Sequence, residues 1–536
     1  MSDDSAVTGF RQDTSDSDHI VGIDLGTSYS SLAVLDEEGH PRVIDNSGGS
    51  PLTASVVLLA EGGRAFVDPE MELLADAQPE QRILGIKREM GNPRYAVRHE
   101  NRRLTPELVS SLILKRLRQD AEPQLGPIRR AVITVPYYFN EPRRRATRNA
   151  GQIAGLDVVD ILNEPTAATL TYAWAGGALG GSGDDRPRQI LVYDLGGGTF
   201  DVTLVEFTAT HLRVKATDGD TMLGGIDWTS RLADLVAEEV IRHGGTDPRA
   251  TPASHFLLTQ KSEQAKRDLS DRLVTSVSLP HDGRGIEIDV TRTGFERQSA
   301  DLLQRTRDTT ELVLAQAGIE GTDLDDIVLI GGSTVMPGVR AMLESLSGQP
   351  PSTVLDPQRA VAQGAAIHAA ILEARQVGAG GQIGQALIQR LRSITTSNVN
   401  SHSLGVEVTN RNDLDRRWNH VMIPRNTPIP CTATQRFVTN TGNPRSIHIR
   451  LLEGEVSDVD ACTVIGDFRV VDLPEGLAVG SPIEIEYGYD RSGHIHVAAR
   501  ELVTNTAASI VVHWSSGVDE LALAGFMRLA GEYDVD

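Results

Sequence analysis

Two short segments pair an aspartate with a glycine-rich turn. Ile20-Val21-Gly22-Ile23-Asp24-Leu25-Gly26-Thr27-Ser28 is an apolar run that ends in an acid and then turns. Ile190-Leu191-Val192-Tyr193-Asp194-Leu195-Gly196-Gly197-Gly198-Thr199-Phe200-Asp201 repeats the plan. Glycines let backbone N–H groups approach phosphate oxygens, and hydroxyls add donors. An aspartate just before each turn can hold Mg²⁺ through water, because that ion keeps much of its hydration shell. One such loop alone reads equally well as an ordinary hairpin turn. Two matched copies point instead to a duplicated βββα half, with the turns facing each other across a cleft. A third turn, Ile330-Gly331-Gly332-Ser333-Thr334, follows a buried-type strand and can pass under a nucleotide base.

The elements that must position these turns are β-runs alternating with helical stretches, from Ile20 to about Leu372. RRAVITVPYYF (129–139), QILVYDLGG (189–197) and DDIVLIGG (325–332) are examples, and the alternation predicts sheets covered by helices. Residues 1–18 are Ser/Asp-rich without the apolar stretch of a signal peptide, so they read as a disordered acidic tail on a cytoplasmic chain. Residues 376–402 read as a linker carrying one short helix. Across 403–515 the pattern becomes short period-two strands, such as SLGVEV, SIHIRLLEGE and PIEIEYGYD, which predicts an antiparallel sandwich. Residues 516–536 read as a modest amphipathic helix followed by a frayed tail.

The balance of 51 Lys+Arg against 73 Asp+Glu gives a net charge of −22, which argues against a nucleic-acid binder. No run approaches the roughly 20 apolar residues that span a bilayer. Two cysteines, Cys431 and Cys462, make neither a disulfide framework nor a Cys-rich metal site.

GIDLGTSYS (22–30), VITVPYYFNEPRRRAT (132–147), ILNEPTAAT (161–169), YDLGGGTFDVT (193–203), GDTMLGGIDW (219–228), SEQAKRDLS (262–270), DIVLIGGST (326–334) and AVAQGAAIHAAIL (360–372) occur in that order. With these motifs the chain closely resembles the seventy-kilodalton heat-shock chaperones. The resemblance implies an α/β, actin-like (ribonuclease-H-like), two-lobed ATPase domain over residues 19–375 and a β-sandwich peptide-binding domain over 403–515. It also implies ATP hydrolysis with Mg²⁺, coupled to binding of extended, unfolded peptide clients, with a J-domain co-chaperone and a nucleotide-exchange factor as partners. A nucleotide-binding sensor or scaffold with little turnover is the alternative.

Carried over motif by motif, Gly26, Thr27, Ser28 and Tyr29 form the first phosphate loop, and Gly196, Gly197, Gly198 and Thr199 the second. Gly224 and Gly225 join them. Asp24 and Asp194 hold the hydrated Mg²⁺, with Glu164 helping to place it. Lys87, in ILGIKREMG (83–91), matches the catalytic lysine near the γ-phosphate, and Thr199 and Asp201 orient the attacking water. Phosphoryl transfer needs mainly positioning and charge neutralisation, which suits a lysine and Mg²⁺. An exposed surface lysine and a turn-capping aspartate are the plainer readings of Lys87 and Asp201. Asp227 reads equally as a structural turn acid.

Glu263, Lys266, Arg267 and Ser270 fall at i, i+3, i+4 and i+7, on one face of a helix. A solvated charged face is the plain reading; the resemblance makes them the adenosine pocket, completed by Gly331, Gly332 and Ser333. Two departures lie here: Val335 stands where the family usually has an arginine, and Gln358 where it has an aspartate, which puts the adenine grip in doubt. Pro136 and Arg144 match an interdomain relay. Val406, Phe437, Ile447 and Ile449 match positions lining the peptide groove, although alternating strand residues are as readily sandwich core. Thr409 and Asn440 replace the residues that usually arch over the peptide, so a more open or more polar groove is expected. The family's short leucine linker is replaced by ALIQRLRSITTSNVNSH (386–402), where Leu387, Ile388, Leu391 and Ile394 are spaced for a docking helix. The resemblance implies a helical lid after the sandwich; a chain without one is expected to release substrate fast.

Overall fold

The computed structural model describes residues 20–536 apart from 71–72, 75–76, 181–185, 282–283, 377–383, 411–412, 443, 445, 472, 474, 491–494, 504–508 and 515–519. The expected N-terminal tail lies outside the described residues. Ile20–Asp24 pairs in parallel with Arg130–Val135, Val21 opposite Ala131, and antiparallel with Tyr29–Leu35, Gly22 opposite Ala33. Asp157–Asn163 and Pro41–Ile44 extend this sheet on its two sides. Arg188–Leu195 repeats the arrangement: parallel to Asp326–Ile330, antiparallel to Phe200–Phe207, with His211–Asp220 beyond. The duplicated plan therefore appears as two sheets, each with an aspartate where its first strand meets a glycine turn.

These strands are covered on both faces, which explains why they read as near-continuous apolar runs. The helices Glu164–Ala175 and Ala360–Gln376 pack between the sheets, so most residues of each are buried. An all-round apolar helix is the sequence signature of that position. Together the two lobes form the actin-like α/β ATPase architecture.

The linker is docked. Its helix, Gln385–Ser393, buries Ile388, Leu391 and Ile394 in the core shared by the two sheets, with Leu387 packed beside them. Thr395–Ser397 then adds a parallel strand to His211–Asp220, with Leu212 opposite Thr396. After it, a five-stranded sheet built on Leu404–Asn410 faces a three-stranded sheet, Cys431–Val438, Pro482–Tyr489 and Ile495–Glu501, over an apolar core.

The frayed tail expected past the last helix is a correction. Glu520–Gly531 packs on the first lobe's helices Pro106–Leu125 and Glu141–Ile153. Asp534–Val535 then pairs in parallel with the edge strand Arg64–Val67, Asp534 opposite Arg64 and Val535 opposite Ala65. Ala530, Tyr533 and Val535 join that lobe's core. The physical reason is an open strand edge, whose unpaired backbone groups favour any segment that reaches it. A strand of two residues carries too little pattern to be read from sequence. Among the described residues, no helix is long and apolar enough to cross a membrane.

Candidate active site

The two glycine turns meet over a cavity of about 460 Å³ between the lobes. Gly26 sits where a Cβ would fall 1.9 Å from the Tyr29 carbonyl oxygen, so the first turn tolerates no side chain there. Gly331 holds a left-handed φ of 83°, and a Cβ would lie 2.3 Å from the Leu195 carbonyl oxygen, so the third loop can lie flat beneath the second.

At the floor, Lys87 Nζ lies 2.5 Å from Glu164 Oε1, with both side chains almost fully buried. Lys87 belongs to a short 3-10 turn, Ile86–Glu89, and Glu164 opens the Glu164–Ala175 helix. Asp24, whose Oδ1 accepts from Thr134 Oγ1 at 3.0 Å, and Asp194 line the same cavity. Burial, then the neighbouring Glu164 charge, pushes the Asp24 carboxyl up to about 7 against the pull of Lys87. The same two causes lift Asp201 to about 8 and hold Asp194 well above the carboxylate range. Burial works against the Lys87 charge, but Glu164 and Asp24 outweigh it and hold the ammonium above its usual value. Four carboxylates crowd one ammonium, and Asp194 Oδ2 and Asp201 Oδ2 are buried with no hydrogen-bond partner among the described residues. Such a set fits a divalent cation, whose charge and water would satisfy both.

At the far end, Glu263 Oε2 lies 2.6 Å from Lys266 Nζ, and Glu263 Oε1 2.9 Å from Arg267 Nε. Lys266 also donates to the Gly225 carbonyl at 2.9 Å, and Arg267 to the Tyr29 hydroxyl at 3.0 Å. Ser333 Oγ donates to the Gly196 carbonyl at 2.9 Å, and Ser270, Gly331 and Gly332 line the same end with Thr27, Ser28, Gly197 and Thr199. The charged helix face therefore borders the cavity, with Lys266 buried and Arg267 at its exposed rim. Val335 and Gln358, the two departures from the family pattern, line the cavity too.

Gly198, Gly224 and Asp201 stand just behind the lining. Arg88, which sequence reasoning passed over, donates to the Gly198 carbonyl at 2.7 Å and pairs with Asp227 at 2.5 Å; Asp227 also accepts from Gly224 N at 2.8 Å. Asp227 is thus a turn acid that braces the second loop. Its signal was only the cation following Lys87.

The segment expected to act as a relay holds more than Pro136 and Arg144. Arg144 donates to Asn163 Oδ1 at 2.6 Å, and the Pro136 carbonyl accepts from Phe139 N at 3.2 Å. Between them, Tyr138 N donates to Asp201 Oδ1 at 3.0 Å, while its ring meets His402 with centroids 4.2 Å apart. Tyr137 OH donates to the Val399 carbonyl at 2.9 Å and lies 3.0 Å from Val399 N. Two adjacent tyrosines therefore join the cleft to the linker. Their tandem was visible in VPYYFN, but its partners were not.

The sandwich rests on the ATPase lobes through Arg425 and Asp218, 3.0 Å apart, and through Glu453 Oε2, which accepts from Glu141 N at 3.2 Å. Burial pushes the Glu453 carboxyl from 4.5 up to about 7. Between those values the folded state holds the extra proton, so this group's contribution is complete below about pH 4.5 and fades as pH rises through about 7. Glu453→Gln, which keeps the acceptor without the charge, is expected to flatten the loss of thermal stability between about pH 5 and pH 8. Parallel unfolding curves for wild type and variant would refute the assignment.

Val406, Phe437, Ile447 and Ile449 line one cavity of about 480 Å³ in the sandwich, with Ile483 and Ile485. Val406 and Ile449 also belong to the sandwich core. Asn440 Nδ2 donates to Thr409 Oγ1 above this cavity, closing the arch with a polar bridge.

The family model described as "Hsp70 protein" matches residues 20–534. The chain is 37% identical over 511 residues to the chaperone protein DnaK of Halobacterium salinarum, covering 94% of this chain and 76% of that protein. It is 37% identical over 523 residues to the chaperone protein DnaK of Thermotoga neapolitana, covering 96% of this chain and 84% of that one. With its duplicated sheets, facing glycine turns and docked sandwich, the chain belongs to the Hsp70 family and is an ATP-dependent chaperone and ATPase.

Proposed function

We propose that ATP binds with Mg²⁺ in the cleft between the glycine turns and that its hydrolysis is coupled to release of an extended client segment from the sandwich groove. One observation carries this reading: a buried Lys87–Glu164 pair, surrounded by Asp24, Asp194 and Asp201, where the two turns meet. Gly26, Thr27, Ser28 and Tyr29 cradle phosphates from one lobe, and Gly196, Gly197 and Thr199 from the other. Lys87 neutralises charge on the transferred phosphoryl group, which in such reactions is spread over its oxygens. Mg²⁺, when bound, would neutralise the phosphates further, with Asp24 and Asp194 holding it through water. Among the described residues no group of three or more His, Cys, Asp or Glu is arranged to ligate a metal directly, which favours water-mediated contact. Asp201 and Thr199 orient the attacking water. Val335 offers no cation to an adenine face, so phosphate contacts carry most of the nucleotide affinity.

Client segments add main-chain hydrogen bonds in the groove and place one apolar side chain on the floor formed by Val406 and Ile449. A J-domain co-chaperone and a nucleotide-exchange factor complete the cycle in this reading. Coupling runs from Asp201 through Tyr138 to His402, and from Tyr137 to Val399, so a change at the cleft reaches the linker through two short hydrogen-bonded steps. A labelled peptide is expected to bind at least about fivefold more weakly in ATP than in ADP, a coupling of about 1 kcal/mol. Tyr138→Ala is expected to reduce that ratio toward one. Equal affinities in the two nucleotides for wild type would overturn the coupling.

A further inference from the structure

At the seam of the ATPase lobes, the linker and the sandwich lies a cavity of about 770 Å³, larger than the nucleotide cleft and separate from it. Arg144 and Arg148 reach it from the Glu141–Ile153 helix, His368 and Arg375 from the Ala360–Gln376 helix, and Arg392 from the linker helix. The guanidinium groups meet mostly neutral acceptors. Arg148 donates to the Val158 carbonyl at 2.8 Å, Arg375 to the Ile394 carbonyl at 2.6 Å, and Arg144 to Asn163 and the Ile161 carbonyl. None of these three is within ion-pair distance of a carboxylate among the described residues. Three carboxylates also line the seam, Glu141, Asp160 and Glu453: Asp160 meets His368 Nε2 at 2.8 Å, and Glu453 accepts from the backbone N–H of Glu141. His368 is buried, and its other ring nitrogen, Nδ1, has no partner.

We propose that this seam is a second ligand site that takes a small phosphorylated molecule. Guanidinium groups match phosphate oxygens in geometry and charge, and a half-buried cation without an anion is costly to keep. Burial depresses the Arg148 guanidinium below its ordinary value, with the nearby Asp160 charge pulling the other way. The volume suits a small molecule and excludes a folded partner. His368 spends one ring N–H on Asp160, so its Nδ1 donates to a ligand oxygen only in the doubly protonated ring, and the Thr396 hydroxyl adds a further donor. Because the walls come from the first lobe, the Ala360–Gln376 helix, the linker and the sandwich, the site is complete only while the sandwich is docked, and its occupant therefore favours the docked form.

The test uses the full chain with its nucleotide cleft filled by a non-hydrolysable ATP analogue, so that phosphate cannot enter there. Inorganic phosphate and glycerol 3-phosphate are each titrated by calorimetry, which separates the free ion from a phosphomonoester as the source. One site per chain is expected, weakened about tenfold or more by Arg148→Gln and by His368→Asn, and restored toward wild type by Arg148→Lys. Matching melting curves establish that the variants are folded, and Arg148→Lys keeps the test decisive if His368→Asn is not. No binding of either probe to the wild type, or equal affinity in Arg148→Gln, would overturn the proposal.

Discussion

Lys87→Ala is expected to slow single-turnover ATP hydrolysis by roughly 10²–10³-fold, the range for removing one preorganised charge-stabilising group from an active site. The structure adds a second consequence. Lys87 and Glu164 are both fully enclosed, so removing the ammonium strands Glu164 beside Asp24 and Asp194, and breaking a buried pair in this way costs about 3–5 kcal/mol. A slow variant that is also unstable would be ambiguous. The double variant Lys87→Ala with Glu164→Gln resolves this, because it removes the stranded charge with the cation. It is expected to recover most of the melting temperature while hydrolysis stays slow. Wild-type single-turnover rates in Lys87→Ala would sink the assigned role of this lysine.

Tyr533→Ala is expected to release the C-terminal segment from the first lobe. The ring is 1% exposed, packs beneath the Arg102 guanidinium at 5.6 Å, and its own carbonyl accepts from Lys115 Nζ at 2.7 Å. Truncating a buried aromatic side chain costs about 3–5 kcal/mol, more than a two-residue strand and one short helix retain without it. Amide protons on Asp534 and Asp536, which bond to Gly63 and Ala65, should then lose exchange protection. Tyr533→Phe keeps the packed ring and should stay protected. Undiminished protection in the alanine variant would show that the strand pairing holds this segment by itself.

How much of this was legible beforehand differs between the parts. The glycine turns could be read directly, because a glycine that lets two stretches of backbone approach closely leaves a local mark in the sequence. The linker helix was legible for a similar reason, since Leu387, Ile388, Leu391 and Ile394 repeat at helical spacing. Arg88 and the Tyr137–Tyr138 pair were not. Their importance lies in what they touch, Gly198 for one and Asp201 and Val399 for the other, and such long-range partners leave no periodicity. The tail was misread as frayed for the same reason: its partner strand, Arg64–Val67, lies at the other end of the chain.

By itself the sequence determined the two-lobed ATPase with its sandwich and the paired glycine turns that each follow an aspartate. These follow from short-range patterns: apolar runs that set strands, glycines that set turns, and motif residues within a few positions of each other. The tertiary structure alone decided how those parts are joined. It set the linker as a strand on the second lobe, returned the tail to the first, and gathered arginines from separate helices around one seam. Those outcomes depend on which unpaired edge, apolar face or charge each segment meets once the chain is folded, and that is a property of the assembled surfaces.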